Sequence, residues 1–505
     1  MSPAQIGRAA LSISLAASLA FALSAKAADE GGPTQMSPEA KPAPHRTEAF
    51  GPDPSYADKP YNIDDQLKIY GGKYSIQNPR PMLELGRPMY HGGPISGGGS
   101  GAGALNPADH QFLVYGDWRT AFARNVNGGA ANKSVLATRL NLDVDWKLTA
   151  TERVHAFFRP LDRNGSFTRC EFQQNRTRRC FDELDLKAET FFFEGDLGAI
   201  VSGGRDRYTS WDLPFAVGKM PLLFQNGIWL EDALTGVAAS IPARHSAALG
   251  ISNLDVTFFA GFDDVTTAGV RDLAGNIPKH KVNVYGATTF LEANQGYWEL
   301  GYAYTDPRRE FADQSFHNVG VSFTRRYGGW LSNSVRLIHN FGQKLASGAR
   351  QNANGTLLVI ENSLVTSKPL TLVPYFNAFL GKDRPQSVAR AADAGGILKN
   401  TGINFETDGL TGFPKLDDTA NNTYGGALGV QYLFDLTQQV VVEVATVRPR
   451  GDAASRTLAG RQTALGMRYQ KTLDKAWIFR ADAIVANREN AKDIAGLRFE
   501  LRRKF

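Results

Sequence analysis

Along most of the chain, apolar and polar residues alternate with a period of two. The cleanest stretch is 136–148. There Leu136, Thr138, Leu140, Leu142, Val144, Trp146 and Leu148 interleave with Ala137, Arg139, Asn141, Asp143, Asp145 and Lys147. A helix would scatter these residues around its circumference, whereas a strand sorts them into two faces. One soluble sandwich strand alternates in the same way, so repetition carries the weight. The pattern recurs at Phe112–Phe122, Leu184–Phe192, Leu254–Phe262, Trp298–Tyr304, Val319–Phe323, Leu428–Phe434 and Trp477–Val485.

The connections also alternate. Very short turns (Thr149–Arg153, Ala293–Gly296, Tyr327–Trp330, Ser367–Pro369, Asp435–Gln438, Leu473–Lys475) take turns with longer polar loops at 125–134, 162–182, 263–279, 305–314, 342–354, 381–421 and 449–458. Tight turns on one side and long loops on the other mark a barrel that crosses an outer membrane. Treating 195–212 as a longer excursion on the short-turn side makes the strand count even. The sequence therefore predicts an all-β fold: a transmembrane antiparallel up-and-down β-barrel of eighteen strands, with sixteen as the alternative, over residues 111–505.

The ends differ from the body. Arg8, the apolar run Ala9–Leu23 and Ala25-Lys26-Ala27 read as a signal peptide over 1–27, cleaved near Ala27. Residues 28–110 are rich in Pro and Gly and lack sustained periodicity. They are expected to form an irregular extension in the periplasm or the lumen. At the other end, Leu497, Phe499, Leu501 and Phe505 share one parity, and Arg498, Glu500, Arg502 and Lys504 share the other. This resembles the C-terminal insertion signal of Gram-negative barrels, read in that family by the barrel assembly machinery. Arg503 departs from it, since an apolar or aromatic residue is usual there. The body, in VLATRLNLDVDWKLTATERVHAFFRPL, GKMPLLFQNG and AGLRFELRRKF, resembles the broad porin and alginate-export-type barrel superfamily. That resemblance implies an outer-membrane channel.

Composition refines this picture. Hydrophobic residues make up 42% of the chain, and no internal segment is long and apolar enough for a membrane helix. Loss of 1–27 leaves 54 basic against 50 acidic residues, with the signs interspersed and no stripe that suits nucleic acid. Cys170 and Cys180 bracket a short polar segment and are expected to form a disulfide in an oxidising periplasm. None of the eight histidines lies in a nucleophile-elbow or zincin motif, and the cysteine spacing suits neither zinc nor c-type haem. No enzyme activity, metal or cofactor is expected.

A barrel of this size is wide enough for an aqueous channel unless loops fill it. On the inward parity, the candidate pore-lining residues are Arg119, Arg139, Asp143, Asp145, Lys187, Glu189, Arg336, Arg468, Arg480, Asp482, Arg498 and Glu500. Rings of such charge set ion preference. The loop 381–421 carries Ile397, Leu398, Ile403, Phe405, Leu410 and Phe413, so it either folds inward or caps the barrel. The expected function is a porin in the Gram-negative outer membrane, passing small polar solutes with a slight anion bias. The rivals are a polysaccharide exporter of the alginate type and a scaffold barrel holding a periplasmic partner through 28–110. The remaining expected partners are outer-membrane lipids and lipopolysaccharide.

Overall fold

A strand crossing hydrocarbon cannot leave its backbone edge unpaired, so a chain patterned for strands must close its sheet. The computed structural model describes residues 51, 79–87, 89 and 103–505, apart from 130–131, 164, 174–177, 279, 346–350, 392 and 436. The expected signal segment 1–27 and most of the 28–110 extension lie outside the described residues.

The strands are β1 (Leu83–Gly86), β2 (Ala108–Val126), β3 (Lys133–Thr149), β4 (Arg153–Phe158), β5 (Asp162–Arg163), β6 (Ser166–Gln173), β7 (Arg179–Phe181) and β8 (Ala188–Asp196). After a helix α1 (Leu197–Arg205) come β9 (Pro214–Phe224), β10 (Leu230–Ser246), β11 (Ile251–Gly261), β12 (Val282–Ala293), β13 (Gly296–Pro307), β14 (Phe316–Tyr327), β15 (Leu331–Phe341) and β16 (Asn354–Leu364). The remainder are β17 (Leu372–Arg384), β18 (Ala389–Arg390), β19 (Thr423–Asp435), β20 (Gln438–Pro449), β21 (Gln462–Thr472), β22 (Trp477–Arg488) and β23 (Ile494–Lys504). β4 and β6 lie end to end along β3, and β8 and β7 continue the circle beside them. Each such pair is one broken stave, so the closed antiparallel barrel has eighteen strands.

Exposure shows which face meets lipid. On β23, Leu497, Phe499 and Leu501 are 47%, 41% and 40% exposed, while Arg498 and Glu500 are 1% and 5% exposed. The apolar parity faces outward, as it does on β19 and β20 at Leu428, Val430, Val442 and Val444. In water such a belt would be an aggregation surface; around a barrel it is the lipid face.

Closure joins β23 to β2 from Asp117↔Lys504 to Val126↔Ala495. Two forked ion pairs zip this seam on the lumenal side. Arg119 Nη2 lies 2.9 Å from Glu500 Oε2, and Arg502 Nε lies 2.9 Å from Asp117 Oδ2. Paired guanidinium–carboxylate forks add directionality as well as energy. On the outer face, the guanidinium of Arg503 sits 5.6 Å from the ring centroid of Trp477, which accommodates a cation where the insertion signal calls for an aromatic. β23 ends at Lys504, and the backbone of Phe505 exchanges hydrogen bonds with Gly116 at 2.8 and 3.1 Å. Below that point β2 would present an unpaired edge. β1 fills the notch, pairing Leu83↔Val114 through Gly86↔Gln111.

Two local readings change. The excursion after β8 holds α1, capped by Asp196, whose Oδ1 accepts from the Ala199 N–H at 2.8 Å. On β8 the alternation runs opposite to expectation. Phe191 is 59% exposed and Phe192 is buried. Residues 182–187 are not a strand, and the register slips between Phe157 and Phe158. A one-residue slip exchanges the two faces of a strand. Lys187, expected to line the pore, lies in the non-strand segment before the slip and is exposed.

Candidate functional site

The largest buried apolar cluster among the described residues joins wall residues to several loops, Val265 and Val270 of the β11–β12 connection included, and two of these loops build the candidate site. The shorter one, 225–229, joins β9 to β10. Its Trp229 is fully buried and donates from Nε1 to Asn318 Oδ1 at 2.9 Å. Glycine makes this possible, since a Cβ at Gly301 or Gly320 would come within 2.7 or 2.6 Å of the indole.

The longer loop, 385–422, crosses the lumen. It leaves β17 along β14 and β15, where Asn318 and Asn340 donate to the Gln386 carbonyl at 2.9 and 3.1 Å. It runs beside the shorter loop, with the Val388 N–H donating to the Trp229 carbonyl at 2.8 Å and β18 pairing parallel with Leu230–Glu231. Ile397, Leu398 and Phe405 are buried in the apolar cluster. Glu443 on β20 then clamps the loop: its carboxylate accepts from the Ile403 and Asn404 N–H groups, both at 2.9 Å, and from the Tyr375 hydroxyl at 2.5 Å. The far end reaches β2, where Asn125 Nδ2 donates to the Thr411 carbonyl at 2.8 Å.

Between an arginine wall and the acidic side of the loop lies a cavity of about 110 Å³. The wall presents Arg119, Arg139, Arg480 and Arg498; the loop presents Asp393, Glu406 and Asp408. Asp393 Oδ2 lies 2.5 Å from Arg159 Nη1 and 3.4 Å from Arg139 Nη2. Glu406 bridges Arg468 at 2.6 Å and Arg480 at 3.1 Å. Asp408 Oδ2 lies 3.1 Å from Arg498 Nε. Asp482 and Glu500 stand behind, with Asp482 taking Arg468, Arg480 and Arg498 at 2.7, 2.8 and 2.8 Å. Burial pushes the Asp393 carboxyl up, but Arg159 and Arg139 outweigh it and hold the group below the usual carboxylate range. Arg468 and Arg480 do the same for Glu406 against its burial.

Of the residues expected to line the pore, Arg119, Arg139, Arg468, Arg480, Asp482, Arg498 and Glu500 come together here. Glu189 joins their margin through Arg159 at 3.2 Å. Asp143 and Asp145 sit nearer the short-turn end, where Asp145 accepts from the Tyr115 hydroxyl at 2.5 Å and contacts His155 Nδ1 at 2.8 Å. Arg336 stands apart, buried against Glu361 at 2.8 Å. Lys187 takes no part. The loop carboxylates were not singled out from sequence, because nothing local marks Asp393, Glu406 or Asp408 as lumenal. The Cys170 and Cys180 sulfurs are bonded across β6 and β7, at the long-loop end.

No protein-family model and no curated protein matches the chain. Among solved structures it is similar to Pseudomonas aeruginosa OpdK with vanillate, at 10% identity and TM-score 0.49, covering 78% of this chain and 98% of that one. It is also similar to OpdL of the same organism, at 13% identity, TM-score 0.47 and coverage of 78% and 98%. A third is OccK11 (OpdR), again from Pseudomonas aeruginosa, at 10% identity, TM-score 0.48 and coverage of 78% and 96%.

Proposed function

We propose that this barrel is an outer-membrane porin: a water-filled channel through which small polar solutes diffuse, with a slight preference for anions. The observation that carries the reading is the constriction built where the 385–422 loop meets the arginine wall. A wide barrel narrowed by a charged loop lets water and small ions through and holds back larger solutes. The side chains that line the cavity itself are four guanidiniums (Arg119, Arg139, Arg480, Arg498) and three carboxylates (Asp393, Glu406, Asp408), which supports an anion bias of only modest size. The inward loops weigh against a conduit for folded or bulky polymers, because the wall and both loops share one packed apolar cluster.

Planar-bilayer recording of the purified full-length protein tests the proposal. A stable open conductance is expected, with a reversal potential on the anion-selective side in a potassium chloride gradient. Electrical silence of protein that is folded by its heat-modifiable gel mobility refutes it.

A further inference from the structure

Cations on the two faces of this barrel are treated differently. In the lumen, every guanidinium of the constriction has a carboxylate partner. On the lipid-facing parity, at the long-loop end, Lys382 and Arg448 are exposed and have no ion pair or side-chain hydrogen bond among the described residues. Lys382 lies two residues before the end of β17, and Arg448 one residue before the end of β20.

Strand register brings them together. Leu380, Tyr424 and Arg448 share one row across β17, β19 and β20, so Arg448 stands two strands from β17 and one step below Lys382. At ~4.8 Å per strand and ~3.4 Å per residue their backbones are about 12 Å apart, within joint reach of one ligand for two long side chains. The nearest carboxylate in sequence, Asp383, is paired opposite Gly355 on the lumenal parity.

The depth of this pair is set by its neighbours. The row of Lys382 continues through Thr356, His339 and Val319 to Tyr302. His339 Nδ1 lies 2.9 Å from Thr356 Oγ1, and the Tyr302 hydroxyl lies 2.8 Å from His317 Nδ1. His317 stacks on Phe341 at 5.1 Å and packs against Tyr304 at 5.0 Å. Rings with one apolar and one polar end collect where acyl chains give way to headgroups. Lys382 and Arg448 therefore stand at headgroup level, where a cation without a protein partner is satisfied by an anion of the lipid.

We infer that Lys382 and Arg448, with Tyr424 between them, bind the phosphate of a phosphorylated glycolipid in the external leaflet. The chemistry fits: guanidinium offers a forked pair of donors to phosphate oxygens, and ammonium a compact charge beside it. This inference rests on the outer-membrane location proposed above, but not on conduction, because neither residue faces the lumen.

The test uses native mass spectrometry of the full-length protein in detergent, titrated with bisphosphorylated lipid A. The comparison ligands are the same lipid with its phosphates removed and inorganic phosphate. The protein is expected to retain lipid A, and Lys382→Ala/Arg448→Ala to weaken retention about tenfold or more, as loss of charge-assisted hydrogen bonds would. Dephosphorylated lipid should bind both proteins equally and weakly. Equal retention of lipid A by the double variant overturns the inference. So does equally tight binding of dephosphorylated lipid, or displacement by equimolar inorganic phosphate. Gel mobility shows whether the variant is folded, and its conductance should be unchanged. A silent channel in a protein that still retains lipid A would refute the porin reading alone.

Discussion

The substitution Asp393→Asn removes one negative charge from the loop side of the constriction without changing its shape. Asp393 is mostly shielded from solvent, with its side chain 18% exposed. Arg159 keeps Asp162 and Glu189, both at 3.2 Å, whereas Arg139 loses its carboxylate. The excess positive charge at the constriction rises by one. An ion passing ~5 Å away in water feels a change of about 0.8 kcal/mol, reduced to about 0.5 kcal/mol by screening at 0.1 M salt. Anions gain and cations lose this amount, so the anion-to-cation permeability ratio should rise about fivefold. At 1 M salt the Debye length is ~3 Å and the rise should shrink to less than about twofold. Reversal potentials in potassium chloride gradients at the two mean concentrations give both numbers. An unchanged reversal potential at low salt would show that ions do not pass Asp393. A shift of the same size at both salt levels would mean that the loop has moved, and the electrostatic reasoning would be wrong.

Other perturbations probe how the loops are held. Asp393 and Glu406 have carboxyls depressed by their arginine partners. Their contribution to loop docking is therefore complete above the ordinary carboxylate range and is lost progressively as pH falls through that range and below it. Single-channel noise should stay flat from pH 7 to 5 and increase at pH 3; flat noise throughout would contradict these ion pairs. Trp229→Ala should cost about 3–5 kcal/mol of local packing, freeing 225–229 and the adjoining part of the long loop. Gly320→Val should do the same by collision, and a conductance unchanged in both variants would count against Trp229 as the anchor. Deleting 79–89 removes β1 and uncovers the β2 edge between Gln111 and Val114. The temperature at which the heat-modifiable band unfolds should fall by several degrees, and an unaltered transition would mean that the notch needs no filling.

How much was legible in the sequence depends on how local each feature is. Outward parity on β3, β11, β13, β14, β19, β22 and β23 could be read directly, because the bilayer demands apolar residues on every second position of each strand. The even strand count and the direction of β23 followed from turn lengths. Where the strand was broken, between β4 and β8, alternation alone misassigned the faces, since a bulge leaves no compositional mark. The constriction was half legible. Arg119, Arg139, Arg480 and Arg498 stand on regular strands, so parity alone sends them inward. Asp393, Glu406 and Asp408 stand on a loop with no period, and their partners are remote: Arg159 is 234 residues from Asp393.

The repeated alternation and the asymmetry of turns and loops thus determined, from sequence alone, that the chain builds a closed β-barrel and which side chains of its regular strands face outward. Those are consequences of a period-two backbone in an apolar solvent, felt residue by residue. Only the tertiary structure decided that the lumen is narrowed, by which loop and between which charges. Those outcomes depend on contacts such as Glu443 with Asn404, Trp229 with Asn318 and Asp393 with Arg159, which exist only after the sheet has closed and brought distant strands around one interior.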